Sequence, residues 1–281
     1  MRPSLGWKVY RGAIYSLLLA CAFIALTPLV WLVAASIKGP DDLFHHMFFA
    51  PKATLDNFRD LFEIGNPKPT VHFLRCGINS AFVACSTVLV QLFFSSLAGF
   101  SLAKYDFRAR KAIMVLMLAT MLIPGQVVMA PMYELIYRIG LVDTYAGLIV
   151  PGAVSVFGIF LFRQSILQVP DELMHAARID GCSEFRIYWS VIMPVSRPMI
   201  GAFCLISFMG AWNSFLWPQI ILHNSERFTL PIALNQLVGL YQQQYGTLMA
   251  GTLISVLPVV IIFMLLQREF VAGLTAGAVK G

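Results

Sequence analysis

Six stretches of this chain carry no Asp, Glu, Lys or Arg: residues 12–37, 76–103, 112–133, 144–162, 198–225 and 228–267. A helix needs about 20 apolar residues to cross roughly 30 Å of hydrocarbon, and every stretch is about that long or longer. The last has a polar, proline-containing first half, which leaves about residues 247–267 as its span. Lipid offers the backbone no hydrogen bonds, so a chain of this pattern can only be a bundle of membrane helices.

Composition agrees. Of 281 residues, 58% are hydrophobic and 12% charged, against about 25% charged in ordinary soluble domains. So few charges cannot cover the surface of a soluble domain of this size. A disordered chain, a collagen-like chain, a disulfide-stapled secreted protein and most soluble enzymes are excluded.

The reading is therefore an all-α membrane protein with six transmembrane helices at about 12–36, 77–100, 112–131, 145–166, 199–222 and 247–267. These lie in one six-span transmembrane domain, 12–267, flanked by an N-terminal segment 1–11 and a tail 268–281. An even number of spans puts both termini on one side. With that side cytoplasmic, inner segments hold thirteen Lys and Arg and outer segments seven, as basic residues are retained inside. Five of the outer seven lie in the first loop, offset by Asp41, Asp42, Asp56, Asp60 and Glu63. The net charge of +6 is thus mostly a topology signal. Nucleic acid is not an expected partner, since the basic residues sit in short clusters at span ends without interleaved aromatics. Membrane lipid is.

Catalytic patterns are missing. There is no G-x-x-x-x-G-K-[ST] phosphate loop, no G-x-G-x-x-G, no G-x-S-x-G elbow and no H-E-x-x-H helix. The span centres hold no ionisable residue, which weakens proton coupling and carboxylate chemistry, because intramembrane charges mark such paths. Cys21, Cys76, Cys85, Cys182 and Cys204 form no C-x-x-C pair. Only Cys76, near the outer face, is placed for oxidation. Adjacent His45 and His46 would point about 100° apart on a helix, a poor metal pair. The spans instead contain Pro28, Pro124-Gly125, Pro151-Gly152, Asn213-Ser214 with Pro218, and Pro258. Proline frees a carbonyl, and irregular backbone in lipid must be covered by protein or face a wet cavity. Several spans of this kind together favour an enclosed path.

The inner loop 168–197 is the longest on the cytoplasmic side. From Pro170 to Pro194 it reads as two short helices around a glycine. Asp171 and Glu172 suit a helix N-terminus, Arg178 a C-terminus, and Gly181 a left-handed cap. The second helix is predicted from Ser183 to just before Pro194, with Phe185, Tyr188, Trp189 and Ile192 on one face. An amphipathic helix there must cover its apolar face with membrane, bundle or a partner groove.

At this point the sequence resembles a family. His175-Ala176-Ala177, Asp180-Gly181 and then Val191-Ile192-Met193-Pro194 resemble the E-A-A…G…I-x-L-P loop of the membrane subunits of binding-protein-dependent ABC importers, with Val191 and Met193 standing in for Ile and Leu. Asp143 to Leu148, Gly210 to Pro218, and the tail from Gln267 to Gly281 are similar to the maltose-type second permease of the carbohydrate branch. One departure stands out: His175 replaces the motif glutamate, with Glu172 three residues earlier on a neighbouring part of the same helix.

The resemblance implies the type I importer permease fold in a bacterial or archaeal plasma membrane. It implies a carbohydrate as solute, no ATPase site in this chain, and ATP and Mg on a partner. The expected partners are a second homologous permease, two ATPase subunits and an extracytoplasmic binding protein. The expected ATPase-coupling residues are Glu172, His175, Ala176, Ala177, Asp180, Gly181 and Pro194, with the small alanines letting helices approach and Pro194 ending the second helix. The tail reaches towards the ATPase interface or is a frayed end. Residues 37–75 and 226–246 offer docking surfaces for the binding protein, and the run Tyr241 to Tyr245 fits either partner or sugar contact. Trp212, Asn213 and Trp217 fit either a path lining or interfacial anchors. Some relatives carry glycerol 3-phosphate or its diesters, and the segments 160–164 and 171–173 fit these as well. From a different class, an ion-coupled secondary transporter would need an internal repeat and a buried coupling site, and no convincing repeat is present.

Overall fold

The computed structural model describes residues 5–39, 42–43, 45, 48–49, 52–62, 72–238 and 245–275. The run Tyr241 to Gln244, His46 and the last six residues of the tail lie outside the described residues. Every regular element described is helical, apart from one isolated antiparallel bridge between Lys38 and Ala53. The chain divides into two compact units: Met1–Phe73 with Leu234–Val256, and Leu74–Ala233 with Leu257–Gly281.

In the first unit, α1 (Leu5–Ser36) is apolar on all sides and exposed over most of its length, the signature of a helix whose solvent is lipid. Pro28 sits inside it without a break, and the Thr27 hydroxyl donates to the Phe23 carbonyl at 2.8 Å. Beyond α1 the chain folds back, with the Thr54 N–H donating to the Ile37 carbonyl at 2.8 Å. From α2 (Asp56–Leu61), the buried Asn57 amide donates to the Ser36 and Lys38 carbonyls at 2.9 and 2.7 Å. One side chain thereby satisfies two carbonyls left over at the end of α1.

The second unit is organised by α3 (Phe73–Lys104). Ser80, Gln91 and Ser95 on it are 11 and 4 positions apart, close to whole turns, so they share a face, with Asn79 beside it. Each reaches a place where another helix is interrupted. Asn79 donates to the Glu226 and Phe228 carbonyls at 2.9 and 3.0 Å, and Ser80 accepts the Leu230 N–H at 2.7 Å. Gln91 donates to the Gly152 carbonyl at 2.7 Å, and Ser95 exchanges hydrogen bonds with the Ser155 backbone at 3.2 Å. These last two cover the gap between α6 (Tyr145–Ile149) and α7 (Val156–Ile166), where the sequence analysis placed one span, 145–166. Pro151 and Gly152 fall in that gap.

Other windows also meet interruptions. Residues 112–131 fall on α4 (Arg110–Thr120) and α5 (Gly125–Arg138), which meet at 100° across Pro124. Residues 199–222 fall on α11 (Arg197–Trp212) and α12 (Leu216–Ile221), separated at Asn213-Ser214. By contrast α14 (Tyr245–Thr275) runs through Pro258 unbroken. Among the described residues, three helices are individually long and apolar enough to cross a membrane: Tyr10–Ser36, Phe73–Lys104 and Tyr245–Gly273.

The core of this unit at the C-terminal end of α3 gathers Phe100, Phe162, Ile166, Met199 and Phe203. Phe162 and Phe203 meet edge to face at 5.3 Å between centroids. Here α3 and α7 come close because Gly99 has no side chain. A Cβ at Gly99 would lie 2.6 Å from the Phe162 Cβ and 3.0 Å from the Arg163 nitrogen. Neither neighbour can swing away. Gly99→Ala should therefore destabilise the chain by about 1–3 kcal/mol through overpacking, read as a lower thermal midpoint of purified protein. Gly12→Ala, inside α1 with nothing within 4 Å, should hold or slightly raise the midpoint, alanine being the better helix former.

Candidate functional site: a paired-helix loop

The loop 168–197 forms two helical arms around Gly181. The first arm, α8 (Asp171–Ile179), has acids in its first turn and Arg178 in its last, which complement the helix dipole. It buries Met174 and Ala177, one turn apart, and exposes Glu172, His175 and Ala176. Gly181 follows in the left-handed region, φ +77°. The Cys182 N–H donates to the Ala177 carbonyl at 2.9 Å and the Gly181 N–H to the Arg178 carbonyl at 3.0 Å. This paired pattern closes a helix end and needs a residue tolerant of positive φ at Gly181.

Ser183 then starts the second arm, its hydroxyl accepting the Arg186 N–H at 3.3 Å. The arm comprises α9 (Glu184–Ile187), a π turn (Tyr188–Ile192) and α10 (Met193–Val195). Two expectations are corrected here. The helix does not stop before Pro194 but runs on to Val195, because Pro194 lies near the start of α10, where a missing N–H is tolerated. The change of direction comes after it, an 82° bend into α11. The buried stripe also differs: Ile187, Tyr188 and Ile192 are fully enclosed, whereas Phe185 and Trp189 are about 60% exposed (59% and 60%). The wider i→i+5 turn departs from the regular period on which the predicted face rested. Of the expected coupling residues only Ala177 is buried; Glu172, His175, Ala176, Asp180, Gly181 and Pro194 are exposed.

Long-range polar contacts hold both arms to the end of α3. Lys104, almost wholly buried, donates to the Val169 carbonyl at 2.5 Å and the Asp171 carboxylate at 2.6 Å. The Lys104 ammonium draws the Asp171 carboxyl below its usual value. Arg178 grips Glu184 with two N–H groups at 2.8 and 3.3 Å, tying one arm to the other across the glycine. Tyr105 donates to the same carboxylate. Hydrogen bonds from Arg178 and Tyr105 hold the Glu184 carboxyl below the usual range. Burial, and then the Glu184 charge, push the Tyr105 hydroxyl up to about 12. Deeper in, Ser96 gives its proton to the Leu92 carbonyl at 2.5 Å, so Tyr188 is the donor in the 2.7 Å contact with Ser96.

Lys104, Tyr105 and Glu184 were not among the residues singled out from the sequence, and Asp171 and Arg178 only as helix-end charges. Their partners lie up to 79 residues away, beyond any local spacing rule. The rigidly joined arms leave Ile179, Phe185 and Trp189 projecting, with Ile179 87% exposed.

At the other end of the unit, two further sequence segments meet. Asp143, at φ 57°, accepts the His223 and Asn224 N–H groups at 3.0 and 3.1 Å and Arg227 at 2.8 Å. Partial burial opposes ionisation of Asp143, but these donors outweigh it and lower its pKa. Thr144 caps α6 through the Gly147 N–H at 3.1 Å, and the Trp217 indole donates to the Gly147 carbonyl at 3.0 Å. Trp212 is buried and stacked on Phe208 at 5.4 Å, a packing role, while Asn213 is exposed. Cys76 is also buried, at 1% exposure, rather than open to oxidation. Among the described residues no group of three or more His, Cys, Asp or Glu is placed to hold a metal ion.

Lipid-exposed helices and interrupted helices stitched over a polar interior define a class, the helical membrane transport subunits. Residues 92–275 match the family described as "Binding-protein-dependent transport system inner membrane component", and the chain belongs to that family. It is 38% identical over 285 residues to the arabinooligosaccharides transport system permease protein AraQ of Bacillus subtilis, covering all of both chains. It is 32% identical over 266 residues to the lactose transport system permease protein LacG of Rhizobium radiobacter, covering 95% of each. Its fold matches a chain in the crystal structure of a bacterial ABC transporter involved in import of the acidic polysaccharide alginate, with TM-score 0.83 at 20% identity over 95% of this chain and 99% of that one.

The ion pairs of the loop fix a pH window. Glu184 has a depressed folded pKa, so its contribution is present above the ordinary 4.5 and fades as pH falls through the folded value. Tyr105 is raised, so its contribution is complete below 10.0 and is lost as pH rises through about 12. Hydrogen-exchange protection of residues 176–188, corrected for intrinsic rates, should be flat between these limits and fall outside them. Glu184→Gln should show the lower protection already at neutral pH.

Proposed function

We propose that this chain is a translocation subunit of an ATP-driven importer for a sugar or oligosaccharide. The reading is carried by the loop: two arms locked across Gly181, fastened to α3, and ending in a projecting apolar surface. Rigid elements transmit displacement where a slack loop would absorb it. Ile179, Phe185 and Trp189 suit a hydrophobic cleft on another protein, and Glu172, His175, Asp180 and Arg186 supply a polar rim. The partner that would seat it is a cytoplasmic ATPase, which holds ATP and Mg, this chain having no catalytic site of its own.

In this proposal Glu172, His175, Ala176, Asp180 and Gly181 face the ATPase, Ala177 packs the arm to its bundle, and Pro194 lies just before the bend into α11. A second, homologous permease completes the path and two ATPase subunits drive it. An extracytoplasmic binding protein delivers the solute, as the family description requires of the system. The chain crosses a bacterial or archaeal plasma membrane six times with both termini cytoplasmic, in accord with the thirteen-to-seven bias of its basic residues. The printed substrates of the similar permeases, arabinooligosaccharides and lactose, support a neutral carbohydrate as cargo.

Mild-detergent extraction of the tagged chain from native membranes should recover a second permease and an ATPase in comparable amounts. Gly181→Val forces a β-branched residue into positive φ. It should cut ATPase recovery by about tenfold or more while the chain and its permease partner stay at wild-type abundance. Recovery of the chain alone, under conditions that preserve other membrane complexes, would replace the importer reading with a transporter acting by itself.

A further inference from the structure

The C-terminal turns of α3 touch the loop 168–197 at three separate places. Ser96 meets the Tyr188 hydroxyl of the π turn at 2.7 Å, and Phe100 packs on the Tyr188 ring with 5.7 Å between centroids. Lys104 holds the Val169 carbonyl and the Asp171 carboxylate where the first arm begins. Tyr105, edge to face with Phe100 at 5.4 Å, donates to Glu184 where the second arm begins. Ser96, Phe100 and Lys104 are four positions apart and so lie along one face of the helix. Attachment to both arms fixes the loop in position and in tilt, so the loop and the end of α3 form one rigid piece.

The Lys104 ammonium, only 5% exposed, is the costly member of this joint. A charge withdrawn from water must be met by close partners, and both of its partners belong to the loop. The covalent route is less direct. The chain leaves the second arm through an 82° bend, so a thrust along that arm is not in line with α11.

Farther back, α3 holds backbone N–H groups of two other helices. Ser95 accepts from Ser155, at the start of α7, at 3.2 Å, and Ser80 accepts from Leu230, the first residue of α13 (Leu230–Val238), at 2.7 Å. These amides are bonded to side chains of α3 and not within their own helices. A displacement of α3 relative to either helix stretches the bond and opens the amide to exchange.

We propose that Lys104 and Tyr105 are positioning residues that pass the displacement of the loop into α3, and that α3 carries it to the starts of α7 and α13. The inference rests on the reading that an ATPase seats and moves the loop. It adds a route through hydrogen bonds into α3, beside the backbone route into α11.

The test uses the whole complex, with the permease pair, ATPase and binding protein expressed together and purified into nanodiscs. Hydrogen exchange is compared with and without a non-hydrolysable ATP analogue and Mg. In the wild type, nucleotide should change exchange over residues 176–188 and also at the Ser155 and Leu230 amides, the latter by about fivefold, as expected for one hydrogen bond. In the Lys104→Met, Tyr105→Phe double variant the loop should still respond while Ser155 and Leu230 do not. Lys104→Arg, which keeps a cation and N–H donors, should retain both responses. If the double variant fails to assemble, Tyr105→Phe alone decides, since it removes one oxygen; an undiminished response there would overturn the role of Tyr105. Nucleotide-free exchange at the two amides and ATPase co-purification serve as controls, because a merely structural role would move them. A response at Ser155 and Leu230 that survives the double variant, or that is missing in a wild type whose loop responds, would overturn the joint and leave the ATPase-seated loop standing. A wild-type loop indifferent to nucleotide would overturn both.

Discussion

In hydrocarbon no water is available to rescue an unpaired peptide group, and this constraint governs the second unit. Its helices are interrupted at Pro124, at Pro151-Gly152 and at Asn213-Ser214, each break exposing carbonyls or N–H groups that a continuous helix would have paired. At Pro151-Gly152, and again before α13, the remedy is a single unbroken helix. α3 carries Asn79, Ser80, Gln91 and Ser95 to the backbone between α12 and α13 and between α6 and α7. At its C-terminal end, its own last carbonyls are taken by Arg163 and Arg110 at 3.2 Å. An irregular bundle is possible because one regular helix serves it as a hydrogen-bonding template.

The same helix end fixes the paired-helix loop. Lys104 anchors the start of α8, and Tyr105 just beyond the helix meets the Arg178–Glu184 clasp. Surface ion pairs in isolation contribute little. Here the clasp bridges two arms already set by a glycine turn and by the buried Ile187, Tyr188 and Ile192, so its effect is directional rather than merely additive.

Much of this was legible beforehand. Long uncharged stretches dictated a helical membrane chain, and Pro170, Gly181 and Ser183 marked the arms because caps and left-handed turns demand particular residues at particular places. Comparison with known families agrees with the resemblance carried by residues 175–194. What could not be read was whatever depends on register between distant helices. Whether a proline breaks a span, as Pro151 does, or passes through it, as Pro258 does, depends on what distant helices bring to the freed backbone groups, as Gln91 on α3 does for the Gly152 carbonyl. The π turn escaped notice for a related reason: it is set by the seating of Tyr188 against Ser96 and Phe100, contacts made 88 to 92 positions apart, a span fixed by Ser96···Tyr188 at 92.

Gln91 joins two other helices to α3 through one side chain. Its one amide serves both the Gly152 carbonyl beside α7 and the Ser207 hydroxyl on α11. A slide of α11 along α3 would stretch that contact beyond the roughly 2.7–3.2 Å of a good hydrogen bond and release it, at a net cost of about 1 kcal/mol. The amide is thus a latch of modest strength between the two helices.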